Sequence, residues 1–177
     1  DGIRDYKVTG VQTCALPICL VSEKAKCEAV VFPLLVDLRK RNGKFFMIHS
    51  GESLNADAKR GLKGECDFIL AKDTQSLTIN APIMHIVEAK RNDFDIGIPQ
   101  CAAQLLGAQI FNQKKGTPLE ALYGCVTTLN DWIFMRLEGS EIVVHKRTYF
   151  LAEIGEILAV FQHILDKYKQ SVPISRL

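Results

Sequence analysis

The residues with the clearest capacity for chemistry lie at the end of one apolar segment, Ile86-Val-Glu88-Ala-Lys90. Side chains alternate along a strand, so Glu88 and Lys90 share one face while the residues between them point into the core. A carboxylate and an ammonium group are costly at the end of a buried strand unless they pair or serve a site. The spacing therefore indicates a functional site. The alternative is a surface ion pair, which stabilises a protein very little.

A second carboxylate stands upstream, where Asp67 is followed by the apolar residues Phe-Ile-Leu. It lies 21 positions before Glu88, enough for a hairpin that brings both acids to one edge of a sheet. Two carboxylates and the backbone carbonyl of Ala89 are hard oxygen ligands of the kind that Mg²⁺ prefers, with Mn²⁺ as the alternative. A lysine beside such an ion can orient water and balance the charge that develops on a phosphate. The trio Asp67, Glu88 and Lys90 therefore predicts phosphodiester hydrolysis.

Two expectations about the acids follow from this arrangement. The carboxylates of Asp67 and Glu88 should converge within reach of one ion, with the Lys90 ammonium group beside them. Because neighbouring acids repel each other, they should lower the stability of the protein when no cation is bound. On that reasoning, Glu88→Gln should raise stability in EDTA.

The elements that must position these residues follow from hydrophobic periodicity and from turn residues. Ser22 can cap a first helix, inside which Pro33 should cause a kink. The pattern predicts helices over 22–41, 97–112 and 154–169, and strands over 45–54, 65–71, 83–87, 123–128, 132–137 and 142–149, with a turn over 55–64. This order predicts an α/β fold in which a mixed sheet is flanked by helices.

Asp67 followed by Glu88-Ala-Lys90 resembles the core motif of the PD-(D/E)XK, or restriction-endonuclease-like, nuclease superfamily. The resemblance implies a mixed β-sheet flanked by α-helices, with the acidic residues binding a divalent metal. Many members carry an acid on the first core helix, a position that Glu28 matches best and Glu23 second. Several branches also place glutamine on the helix after the Glu-x-Lys strand. Gln100 and Gln104 fit this position, being four residues apart on one helix face.

Segments outside the motif are also similar to small bacterial proteins of this superfamily, over residues 22–170. The shared segments are Ser22-Glu-Lys-Ala, Gly64-x-Cys-Asp67-Phe-Ile-Leu, Val87-Glu-Ala-Lys90 and Tyr123-Gly-x-Val-Thr-Thr128. The chain departs from the superfamily at Cys66, which stands where the family name has proline. Solvated helix positions remain the alternative for Glu28, Gln100 and Gln104.

Composition agrees with one folded domain in 177 residues, of which 47% are hydrophobic and 24% charged. The first eighteen residues resemble a translated sequencing-library adapter, which leaves one domain over 19–170 and a tail over 171–177. No apolar run approaches the ~20 residues that cross a bilayer. The six cysteines include no C-x-x-C pair, which favours reduced thiols and a cytoplasmic location.

These observations predict a Mg²⁺-dependent endonuclease acting on DNA, and the resemblance allows a homodimer. The net charge of only +2 excludes binding through a strongly basic tail but permits a local basic rim. Candidates for that rim, or for a merely solvated surface, are Lys59, Arg60, Lys63, Arg91, Lys114 and Lys115. One alternative keeps the fold without turnover, as a nucleic-acid-binding or assembly module of a restriction or defence system. A second is an interaction domain with no role on nucleic acid.

Overall fold

The computed structural model describes residues 22–72, 75–76, 78–90 and 93–171. The expectations for residues 1–18 and for the tail beyond Ser171 therefore lie outside the described ranges. Seven strands of this part form one sheet: β1 Met47–Asp57, β2 Leu62–Ala71, β3 Ile83–Ala89, β4 Ala121–Thr127, β5 Asp131–Glu138, β6 Glu141–Val144 and β7 Tyr149–Phe150. The strand order is β1-β2-β3-β4-β5-β6, with β7 also pairing with β5. The β3–β4 pair is parallel and the other pairs are antiparallel.

Three helices cover the two faces of this sheet. Helix α1 comprises α-helical Glu23–Lys26, a π-helical segment Cys27–Val31 and α-helical Phe32–Arg41, while α2 is Phe94–Lys114 and α3 is Ile154–Ser171. Helix α2 connects the parallel strands β3 and β4 and packs on one face, and α1 and α3 pack on the other. The predicted fold class, a mixed sheet flanked by helices, is confirmed. No helix within the described ranges is long and apolar enough to cross a membrane.

Helix α1 shows how the chain accommodates Pro33. Ser22 caps its first turn as predicted, with its Oγ accepting a hydrogen bond from the Ala25 amide at 3.1 Å. Proline lacks an N–H group and its ring crowds the carbonyl four residues earlier. The backbone widens just before it, and the Phe32 amide bonds to the carbonyl of Cys27, five residues back. The helix thus continues to Arg41 through a π segment.

Two hydrophobic clusters stabilise the two sheet faces. The face under α1 and α3 is filled by large aromatic and aliphatic side chains, among them Leu35, Phe68, Trp132 and Phe161. The face under α2 is filled by smaller groups, among them Ile69, Ile86, Cys101, Leu105 and Val126.

The structure corrects several predicted boundaries. Strands β1 and β2 extend through most of 55–64, which was expected to be a turn, so that only Ala58–Arg60 and Gly61 separate them. Long-range packing on α2 stabilises this polar hairpin, where Leu54 and Ala56 are buried. The strand predicted over 142–149 is split into β6 and β7. Cys66 packs with Ile69 on the α2 side, although alternation along a regular strand would place it on the face of Phe68.

His85 gives a testable property of the core. Its side chain in β3 is 1% exposed and its ring lies 5.1 Å from the Phe161 ring. Both ring nitrogens are buried without a hydrogen-bond partner among the described residues. Burial disfavours the charged imidazolium and lowers the pKa of His85 to about 3.

Stability should therefore depend on the protonation of His85. The folded state binds fewer protons at this residue than the unfolded chain, whose histidine titrates at a pKa of about 6.5. The stability of the protein should then fall as the pH decreases below about 6.5, by about 2 kcal/mol from this residue at pH 5. His85→Leu should be more stable than the parent and lose that part of the pH dependence. Thermal melts of both proteins from pH 5 to 7.5 test this, and parallel curves would contradict it.

Candidate active site

The site is built on the end of β3, the most buried strand of the sheet. All seven residues of Ile83–Ala89 are buried, in agreement with a strand that is covered on both faces. Beyond its last paired residue, the Lys90 amide still donates to the carbonyl of Thr127 at 2.7 Å. This bond extends the ladder to β4 and holds the backbone of Lys90 in place. Glu88 and Lys90 therefore leave the strand on the same side, as the alternation predicts.

Glu88 is a buried carboxylate, 2% exposed, with three side-chain donors. Its Oε1 accepts hydrogen bonds from Lys90 Nζ at 2.7 Å and from Gln100 Nε2. Its Oε2 accepts from Gln104 Nε2 at 2.8 Å. The structure thus brings together four of the residues singled out in the sequence. Because every donor is directed at one carboxylate, the orientation of Glu88 is fixed before any ligand arrives.

Helix α2 delivers the two glutamines. Asp93 caps it, with Oδ1 accepting from the amides of Asp95 and Ile96 at 2.9 and 3.2 Å. Gln100 and Gln104 lie one turn apart and face β3 together.

Gly97 explains how α2 approaches β3 so closely. A Cβ atom at this position would lie 2.6 Å from Val126 Cγ1 and 2.9 Å from Lys90 Cγ. Only a residue without a side chain lets the helix pack against the Lys90 stem at this distance. The glycine therefore belongs to the machinery that positions Lys90.

Asp67 reaches the site from β2. Its Oδ2 accepts a hydrogen bond from the Ala89 amide at 2.7 Å. The last pair between the two antiparallel strands is Phe68 with Val87. Asp67 and Glu88 are the next residue beyond that pair on β2 and on β3, respectively. Burial and then the negative charge of Glu88 raise the pKa of Asp67 to about 6, against the lowering effects of the Ala89 amide and of Lys90. The two acids are therefore electrostatically coupled.

Lys90 remains a cation in this environment. Burial acts to lower its pKa, but the hydrogen bond to Glu88 and the charges of Glu88 and Asp67 outweigh burial. The pKa of Lys90 accordingly lies above its ordinary value. Its side chain is 14% exposed, so the ammonium group lies at the boundary between the packed interior and solvent.

For the acid on the first helix, the structure does not favour Glu28, the residue that the sequence matched best. Glu28 lies on the exposed surface of α1 and pairs with Lys24 at 3.9 Å. The charge on α1 that raises the pKa of Asp67 is that of Glu23, the second choice from the sequence. The π segment begins after Lys26, and it rotates the residues beyond it relative to a regular helix. Of the two candidates, Glu23 is the one whose charge acts on Asp67 and Lys90, while Glu28 pairs with Lys24.

Lys26 on α1, which is not among the residues predicted from the sequence, is only 6% exposed. Its Nζ donates to the carbonyl of Thr128 at 2.9 Å, next to the residue that anchors Lys90. Its position was a usable signal, because Lys26 precedes Val30 and Leu34 at intervals of four on the buried stripe of the helix. Lys26 ties α1, and with it Glu23, to the end of β4.

Two thiols lie near the acids and are inert. Burial, followed by the charges of Asp67 and Glu88, raises the pKa of Cys27 to about 12. Burial, followed by the charge of Glu88, raises the pKa of Cys66 to about 12 as well. Nucleophilic cysteines require the thiolate form, so neither residue suits that role. Both are free thiols, as are Cys101 and Cys125, in agreement with the expectation of reduced cysteines for the described residues.

The side chains of this site supply only some of the ligands that a divalent cation needs. Among the described residues no three His, Cys, Asp or Glu side chains cluster closely enough to hold a metal ion. Mg²⁺ commonly uses one or two carboxylates and keeps several waters, so Asp67 and Glu88 with backbone or solvent oxygens meet its usual requirements. The buried Oε1 of Gln104 has no hydrogen-bond partner within the described ranges, which leaves one further oxygen available there.

Comparison with known proteins adds little to this geometry. No protein-family model and no curated protein matches the chain. A search of solved structures finds the crystal structure of the type IIG restriction endonuclease BpuSI, with a TM-score of 0.47 and 18% sequence identity. The similarity covers 80% of this chain but only 16% of that much longer protein.

Proposed function

We propose that this chain is a metal-dependent nuclease that hydrolyses phosphodiester bonds in DNA. One observation carries the proposal: a buried acid, Glu88, is held by Lys90 and by two amides while a second acid, Asp67, is coupled to it across the strand pair. A purely structural ion pair needs neither the second acid nor the two glutamines. Burying two like charges together is costly, and a cation that binds there would offset that cost.

Each residue would have a distinct task. Asp67 and Glu88, with the Ala89 carbonyl, would hold Mg²⁺ or Mn²⁺, which supplies Lewis-acid activation of water and of the phosphate when bound. The Ala89 amide orients Asp67. Gln100 and Gln104 align Glu88 by donating to its two oxygens.

Lys90 would act on the substrate in addition to its pairing with Glu88. Its ammonium group is a cation at the mouth of the site, where it can orient a water molecule and offset the charge that develops on the phosphate. In the absence of substrate this charge is balanced by Glu88. The negative charge of Glu23 also reaches Lys90, so the first helix contributes to the field around the ammonium group.

Cleavage by the purified chain tests the proposal. Labelled duplex and single-stranded DNA should be cut in Mg²⁺ or Mn²⁺ and left intact in EDTA. Lys90→Met should lower the rate on the order of 10²-fold or more, the scale observed when one charge-stabilising group is removed. Lys40→Met, which removes an exposed lysine at the end of α1, is the matched control and should cut like the parent.

The outcomes also separate the alternatives. Binding without cleavage would replace the proposal by a nucleic-acid-binding or assembly module of a restriction or defence system. Neither binding nor cleavage would favour an interaction domain in which the charges are structural. Unchanged cleavage by Lys90→Met would assign the activity to a contaminant or to another site.

A further inference from the structure

A groove runs beside the candidate active site, between the first half of β2 and α2. It encloses about 400 Å³ and is lined by residues of both elements, including Gly64, Gln100 and Gln104. Its volume lies in the lower part of the ~300–1,000 Å³ typical of sites for small ligands. The glutamines lead directly to Glu88, since both donate to that carboxylate. The groove and the site therefore share these two glutamines.

One wall of the groove is an unpaired strand edge. β3 pairs with β2 only from Phe68 onward, and among the described residues no strand pairs with the earlier part of β2 on the edge opposite β1. Gln104 Nε2 donates to the Glu65 carbonyl at 3.2 Å, which shows that peptide groups of this edge face the groove. An open edge offers backbone donors and acceptors to a bound chain or ligand.

Gly64 is a second feature of the groove wall, since the fold itself does not require a glycine at this position. A Cβ atom at Gly64 would meet no atom within 4 Å, and its φ lies outside the left-handed region. Gly64 stands opposite Leu54, and residues directly opposite in an antiparallel pair project from the same face. Leu54 packs on the α2 side, so a side chain at 64 would enter the groove. A glycine in a strand leaves room for a ligand or a second backbone to approach closely.

The surroundings of the groove suit a polyanion. The tip of the β1–β2 hairpin carries three exposed cations, Lys59, Arg60 and Lys63, of which Arg60 also pairs with Asp57 at 3.6 Å. Lys114 holds this hairpin on α2 through a 2.6 Å bond from Nζ to the Ala56 carbonyl. A side chain at position 51 would meet Glu65 Oε1 at 3.5 Å, which places that carboxylate on the face away from Leu54, where Lys63 also projects by strand alternation.

We propose that this groove holds one strand of the nucleic acid next to the phosphate to be cleaved, and that Gly64 provides the clearance for it. The inference rests on the proposed nuclease function and adds the path of the substrate. The strand would lie along the open edge of β2 and enter the site past Gln104 and Gln100, with the hairpin cations beside it.

Substitutions at Gly64 test the groove without disturbing the core. Gly64→Ala and Gly64→Val should fold normally, and valine should keep or raise the melting temperature because β-branched residues favour strands. Binding of fluorescein-labelled duplex and single-stranded DNA, followed by anisotropy in EDTA, should weaken with side-chain size, on the order of tenfold or more for valine. The KM for cleavage in Mg²⁺ should rise in parallel. Gly155→Val is the matched control, because a Cβ atom there also meets nothing within 4 Å and lies in α3.

The results distinguish this inference from the proposed function. If Gly64→Val binds and cleaves like the parent, the groove is not the substrate path, although the nuclease proposal stands. If the parent cleaves and only Gly64→Val loses binding, both proposals are supported. If the parent neither binds nor cleaves DNA, both proposals fail together.

Discussion

Asp67→Asn is expected to abolish metal-dependent cleavage, by on the order of 10³-fold or more, while leaving the fold intact. Asparagine keeps an oxygen that can accept from the Ala89 amide, which bonds to Asp67 Oδ2 at 2.7 Å. It removes the negative charge that would hold the cation, and electrostatic stabilisation is commonly the largest part of catalysis. Initial rates in Mg²⁺ and melting temperatures in EDTA measure the two effects separately.

The control for this prediction is Asp37→Asn, which removes a half-exposed acid of α1 that pairs with Arg41. It should cleave DNA like the parent. Because Asp67→Asn also relieves repulsion between two acids, its melting temperature in EDTA should equal or exceed that of the parent. Residual cleavage at the parental rate would remove Asp67 from the site, and unfolding of the variant would make Asp67 a structural residue.

Glu88→Gln is expected to destabilise the protein by about 3 kcal/mol, because breaking a buried ion pair leaves its partner uncompensated. Glutamine keeps one acceptor oxygen, but it presents an amide N–H to donors that previously met a carboxylate. Lys90 then loses the counter-charge that lies 2.7 Å from its Nζ. This reverses the expectation from the sequence that the substitution would raise stability in EDTA. The repulsion from Asp67 is outweighed by three donors directed at Glu88.

Urea unfolding of a double-mutant cycle measures the pair directly. Glu88→Gln combined with Lys90→Met removes both charges, so the double variant should be more stable than the sum of the single effects predicts. Both single variants should also lose metal-dependent cleavage. If Glu88→Gln is as stable as the parent in EDTA, the ion pair adds nothing and the repulsion between the acids is the dominant effect.

Local periodicity accounts for the part of the site that the sequence predicted. Alternation along β3 places Glu88 and Lys90 on one side, and a spacing of four places Gln100 and Gln104 on one face of α2. Both relations follow from backbone geometry within a single element, so they do not depend on the packing of the rest of the chain. The order of helices and strands predicted the fold class in the same way, because each element was recognised from its own local pattern.

Contacts between distant elements account for what the sequence did not predict. The length of the β1–β2 hairpin depends on α2, which buries Leu54 and Ala56 in a polar segment. Glu28 lies within a π segment, Cys27–Val31, before Pro33, and such a segment changes the direction of side chains relative to a regular helix. Periodicity of 3.6 residues cannot reveal such a segment, because it assumes a regular helix.

The sequence by itself determined the fold class, the shared face of Glu88 and Lys90 and the pairing of the two glutamines on one helix face. Only the tertiary structure decided that three donors converge on Glu88, that Lys26 is buried against Thr128 and that Gly64 opens onto a groove. The physical reason is that covalent geometry specifies the direction in which a side chain leaves its own element. Which group it meets depends on how closely two elements pack, and at this site that distance depends on the absence of a side chain at Gly97.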